Sequence, residues 1–168
     1  MFRWMPLLAI ALATVGKPGD LTGQDLSTRF GFGGGGVLNP SNSEISKDDL
    51  GIDLRGRISQ PIGARASIAA DVGVFLFNAA EHTEIVLNPQ VSLIVTLGGD
   101  KRFPYIMVGA GALFPTEQDA DGQLTVHAGY GWAWPMGRVS IFAELDPMIA
   151  FREEGVAAVI PIRAGLIF

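Results

Sequence analysis

Two histidines, with the acids and hydroxyls that could work beside them, are the first places to look for chemistry in this chain of 168 residues. His127, Ser140 and Glu144 are the residue types of an acyl-transfer site, in which a carboxylate orients an imidazole that activates a hydroxyl. His82 stands beside Glu81 and Glu84, a weak set of two or three donors for a metal ion. Gly33 to Gly36 form a glycine run, but no Lys-Ser or Lys-Thr pair follows it, as a phosphate loop would require. Eight titratable residues stand singly within otherwise apolar segments: Asp53, Arg55, Arg57, Asp71, His127, Glu144, Asp146 and Arg163. What they can do depends on the direction in which those segments turn them.

Composition narrows the setting. Apolar residues make up 48% of the chain and charged residues 17%, against about 25% charge in an average soluble domain. The mean hydropathy is +0.33. No cysteine is present, so a disulfide-stapled module is excluded. A net charge of −5 with no basic cluster argues against a nucleic-acid partner. No apolar run reaches the roughly 18 residues a membrane helix needs. The N-terminus carries Arg3, an apolar stretch from Pro6 to Val15, then Gly16, Lys17, Pro18 and Gly19. This order predicts a secretory signal over 1–16, with its cleavage position open, and a short periplasmic leader over 17–28.

From Arg29 onward the apolar period is two. Eight segments are predicted as strands: Arg29–Leu38, Asp49–Ser59, Arg65–Phe77, Ile85–Leu97, Phe103–Phe114, Gln123–Trp134, Arg138–Ala150 and Val156–Phe168. Each is long enough for a tilted membrane strand of about 9 to 11 residues. One face is apolar in strand after strand, as in Leu50, Ile52, Leu54 and Ile58, or Val139, Ile141, Ala143 and Leu145. The other face mixes glycine, serine, alanine, phenylalanine and a few charges, the composition of a confined interior rather than a solvated surface. The expectation is an all-β fold, an eight-stranded antiparallel closed transmembrane β-barrel over 29–168, because only closure leaves no unpaired edge in lipid.

Alternation of strand direction then assigns the connections to two sides. The outer connections carry nine acidic against two basic residues, whereas the shorter inner ones hold Arg65, Lys101, Arg102 and Arg138. Phe30, Tyr105, Trp132, Trp134 and Phe168 fall near the inner rim and Phe114 and Phe151 near the outer, as interfacial girdles would. Strict alternation turns Tyr105 toward the lumen, so it is an imperfect member.

The chain resembles the small bacterial outer-membrane barrels represented by the OmpA transmembrane domain and OmpX. The likeness covers about residues 28–168 and is carried by Pro104 to Gly111, His127 to Gly131 and Ile160 to Phe168. The resemblance implies a bacterial outer-membrane location and a final strand, with Ile162, Ala164, Leu166 and Phe168 on one face, that the barrel-assembly machinery reads. It also implies outer-membrane lipids and lipopolysaccharide as surroundings, while the residues themselves, with the histidines poorly placed for lipid chemistry or metal binding, give the expectation of no enzyme activity, cofactor or metal. Divalent cations bridging lipopolysaccharide phosphates would suit the acidic outer connections. The interior charges are expected to form an ion-pair network, with Arg55 opposite Asp71 and His127 opposite Asp146 or Glu144 among the allowed registers. A structural or surface-interaction role follows, with a narrow ion or small-solute channel and a soluble lipocalin-like carrier as the alternatives.

Overall fold

The computed structural model describes residues 27–40, 50–78, 83–98, 103–116, 122–152 and 155–168. The proposed signal, the leader up to residue 26, His82, Lys101, Arg102 and most of the acidic outer connections lie outside them. The elements are β1 (Arg29–Leu38), β2 (Leu50–Pro61), β3 (Ala66–Asn78), β4 (Thr83–Thr96), β5 (Phe103–Pro115), β6 (Gln123–Met136), β7 (Val139–Leu145), β8 (Met148–Arg152) and β9 (Gly155–Ile167). β7 and β8 are two halves of one strand. Pro147 has no N–H to give to a ladder, and the regular pattern lapses there. The register nevertheless runs straight through, from Leu145 opposite Ile162 to Met148 opposite Val159. The barrel therefore has eight staves, all paired antiparallel.

Closure is made by β1 and β9, with Gly31 opposite Ile167 and Leu38 opposite Ile160. Beyond the ladder, the amides of Phe30 and Phe168 each donate to the other's carbonyl at 2.8 Å. Their rings stack 6.4 Å apart. No sheet edge is left at this seam, which is the condition for placing strands in hydrocarbon. At the inner end, β6 and β7 are joined by Gly137 and Arg138. Gly137 has φ of 71°, the positive value that a two-residue hairpin of type II′ needs at its first position.

Strand alternation sorts the side chains. Ile52, Leu54, Val72, Val91, Val108 and Ile162 are exposed on the outside, an apolar belt that water would not accept but acyl chains would. Asp53, Arg55, Arg57 and Asp71 are buried within. A soluble carrier requires the opposite arrangement, with the apolar face enclosing a ligand. The interior is layered. Val37, Phe75, Phe77, Val86, Leu113, Met148, Ala150 and Val159 form an apolar plug in its outer half, and the charged residues occupy the middle.

Glycines make room for this filling. A Cβ on Gly73 would stand 2.7 Å from Arg55 Nη2, and one on Gly129 the same distance from Asp146 Oδ1. Both glycines thus face large polar groups across a shared interior.

Candidate functional site: the filled lumen

β2 supplies Asp53, Arg55 and Arg57 at alternate positions, so all three point into the lumen at successive depths. Arg57 donates from Nε to Asp71 Oδ1 at 2.6 Å. Its Nη1 and Nη2 reach Glu144 Oε2 and Oε1 at 3.0 and 3.1 Å, a bidentate pairing that fixes both groups. The Tyr105 hydroxyl donates to Glu144 Oε2 at 2.8 Å. Arg163 donates to Asp53 Oδ2 at 3.0 Å and to Asp146 Oδ2, and its Nε touches Glu144 Oε1 as a charge contact without hydrogen-bond alignment. Arg55 donates to Asn88 Oδ1 at 2.6 Å and to Gln90, and its guanidinium lies 5.9 Å from the Phe75 ring centroid.

Two register expectations are corrected. Arg57, not Arg55, stands opposite Asp71, while Arg55 faces Gly73. His127 stands opposite Met148 and reaches Asp146 diagonally, with Nδ1 2.7 Å from Oδ1. A shift of two residues keeps every side chain on its face, so alternation cannot distinguish these registers. A third correction concerns Tyr105. It is 5% exposed and belongs to the lumen, as its parity on β5 dictates. Phe30, Phe114, Trp132, Phe151 and Phe168 are exposed on the barrel surface, and Trp134 is half-buried. Tyr130, on the outer face beside Trp132, meets it edge to face at 4.4 Å.

The acyl-transfer grouping does not assemble. Ser140 lines the inner mouth of the barrel, and Glu144 is committed to Arg57 and Tyr105. A different Ser-His-Asp succession forms instead: Ser92 Oγ lies 3.3 Å from His127 Nε2, and His127 Nδ1 meets Asp146. Ser92 is 2% exposed, and Asp146 is shared with Arg163. A separate void of about 10 Å³ beside Arg57 and Glu144 has room for one water and is lined by neither Ser92 nor His127. The arrangement orders side chains around a buried hydroxyl.

Sequence reasoning passed over Asn88, Gln90, Ser92 and Thr125, all buried in the lumen. Their signal was present as alternate polar positions in Asn88-Pro89-Gln90-Val91-Ser92. The acceptors for Arg55 are neutral, so no charge marks them within the segment.

A closed antiparallel barrel with a lipid-compatible belt and a charged, filled interior defines the small transmembrane barrel class. The comparisons agree at the level of fold. The chain is similar to Neisserial surface protein A, with a TM-score of 0.72 and 12% identity over 83% of this chain and 95% of that one. It is also similar to the N-terminal barrel domain of Pseudomonas aeruginosa OprF, with a TM-score of 0.54 and 14% identity over 84% and 96%. A third likeness is to Ail, the attachment invasion locus protein of Yersinia pestis, with a TM-score of 0.53 and 10% identity over 84% and 96%. The chain thus has the fold of the eight-stranded outer-membrane barrels typified by the OmpA transmembrane domain and OmpX. No protein-family model and no curated protein sequence matches it.

Proposed function

We propose that the chain is an integral protein of the bacterial outer membrane with a structural or surface-interaction role, and that it does not conduct solutes. The observation that carries this reading is the filled interior. Arg57, Glu144 and Tyr105 bridge β2, β7 and β5, Arg163 ties β9 to β2 and to Asp146, and an apolar plug lies beyond them. An ion crossing this lumen would have to displace several charge-assisted hydrogen bonds and then pass Phe75 and Phe77. Surface presentation is supported by relatives in fold whose names denote a surface protein and an attachment protein.

In this reading the apolar belt is solvated by outer-membrane lipid. The acids of the outer connections, among them Glu44, Asp48, Glu117, Asp119 and Asp121, bind divalent cations that bridge lipopolysaccharide phosphates. The face of β9 bearing Ile162, Ala164 and Leu166, with Phe168 after it, is what the assembly machinery recognises. Planar-bilayer recording of the purified full chain tests the central claim. The expected result is no unit conductance, and reproducible single-channel steps would replace this reading with the narrow-channel alternative.

A further inference from the structure

The two ends of the lumen differ. The outer half is filled by the apolar plug, whereas the inner end opens into a cup of about 690 Å³, within the roughly 300–1,000 Å³ of small-molecule sites. Its floor is Arg57 and Tyr105, both held by Glu144, so the cup is blind. Hydroxyls of Ser59, Ser67, Thr96 and Ser140 line its walls from β2, β3, β4 and β7.

Charge gives the cup a preference. Among the described residues Arg29, Arg57 and Arg138 line it, and no acidic residue does. Arg57 is neutralised from behind by Asp71 and Glu144. Arg29 and Arg138 make no ion pair among the described residues. They stand on either side of the end of β9, since Ile167 is paired to Gly31 on one flank and to Ser140 on the other. A concave, low-dielectric mouth with cations of one sign concentrates anions. A guanidinium fork suits a planar or tetrahedral oxyanion, and serine and threonine hydroxyls both donate to and accept from a ligand's hydroxyls.

We infer that the inner mouth of the barrel binds a small hydroxyl-bearing phosphate, a polyol or sugar phosphate, between Arg29 and Arg138. The same chemistry reaches the site from two sources, a free solute or the glycerol-phosphate headgroup of a lipid in the adjoining leaflet.

The test is amide NMR of the isotope-labelled full chain in phosphatidylcholine nanodiscs, titrated with glycerol 3-phosphate, with glucose 6-phosphate and, as the neutral control, with glucose. The expected result is saturable shifts at Ser59, Ser67, Thr96 and Ser140 with either phosphate and none with glucose. In the double variant Arg29→Gln/Arg138→Gln, affinity falls about tenfold or more, while lumen amides such as Asp53 and Val159 keep their positions and report an intact barrel. Exchanging part of the lipid for phosphatidylglycerol, with no solute added, distinguishes the sources: shifts at the same four residues identify the headgroup, and their absence alongside solute binding identifies the free phosphate. The inference is overturned if neither source shifts these residues, if glucose matches the phosphates, or if the double variant binds as the parent does.

Discussion

Arg57 and Glu144 lie 87 positions apart in the chain and meet fork to fork across the lumen, with both guanidinium Nη atoms on both carboxylate oxygens. Their strands are not neighbours in the sheet, because β1 and β9 lie between β2 and β7. The pair is therefore a strut rather than a rung: it braces opposite parts of the wall near the closing seam. Arg57 is held at its third nitrogen by Asp71 and Glu144 by Tyr105, so neither group is free to find another partner.

Removing Glu144 takes one of Arg57's two buried partners and the acceptor of the Tyr105 hydroxyl. Glu144→Ala is expected to cost about 3–5 kcal/mol, read from urea unfolding of the barrel in lipid vesicles. The triple replacement Arg57→Met/Asp71→Asn/Glu144→Leu removes both charges of the strut together with the carboxylate that Arg57→Met would orphan, and is expected to recover most of that loss. If the triple variant were as unstable as the single one, shape rather than charge would be the larger contribution at this position.

Depth in the membrane gives a second expectation. Val108 stands near the middle of β5 and is 57% exposed on the outer face, whereas Ile141 is the third residue of β7 from its inner end. Val108→Arg should cost about 2–4 kcal/mol and Ile141→Arg about 0–1 kcal/mol, because the penalty falls toward the interface. Equal costs at the two sites, in the same vesicle unfolding assay, would contradict the assigned membrane depth.

The period of two made the barrel legible, since it alone decides which residues share a face. Thus Asp53, Arg55 and Arg57 could be placed inside, with Leu54 and Ile58 outside, before any pairing was known. Register was not legible. A slip of two residues leaves the faces unchanged, and so Asp71 could be assigned to Arg55 when its partner is Arg57. Contacts across the lumen were further out of reach, because Arg57 and Glu144 are joined by curvature and closure rather than by hairpin pairing. Tyr105 shows the competing pull of two rules: its place near a chain rim suggested a girdle, and its parity on β5 put it inside.

The Ser92, His127 and Asp146 succession yields a prediction about reactivity. A hydroxyl 2% exposed should remain unmodified by a fluorophosphonate probe in the folded protein. Labelling of Ser92 in intact vesicles, detected by mass spectrometry, would contradict the closed geometry. His127→Ala is nevertheless expected to destabilise the barrel by about 1–3 kcal/mol, because Asp146 loses a hydrogen-bond partner within the lumen.

The apolar plug makes the final prediction. Phe75 is 1% exposed and Phe77 6% exposed, and their rings meet edge to face at 6.3 Å. Val37, Leu113 and Met148 belong to the same cluster. Truncation at Phe75 removes a large ring from a packed layer, and the β-barrel wall is too constrained by its ladder to collapse onto the space. Phe75→Ala should therefore cost about 3–5 kcal/mol. It also removes the ring over which Arg55 lies, loosening the top of the charged layer beneath. The charged layer remains in place, however, and it is sufficient to obstruct ions by itself. Bilayer recordings of Phe75→Ala/Phe77→Ala are accordingly expected to stay silent, whereas adding Arg163→Ala, which unties Asp53 and Asp146 together, should produce leakage. Conductance from the double phenylalanine variant alone would mean that the apolar layer, not the ion network, is what closes the lumen.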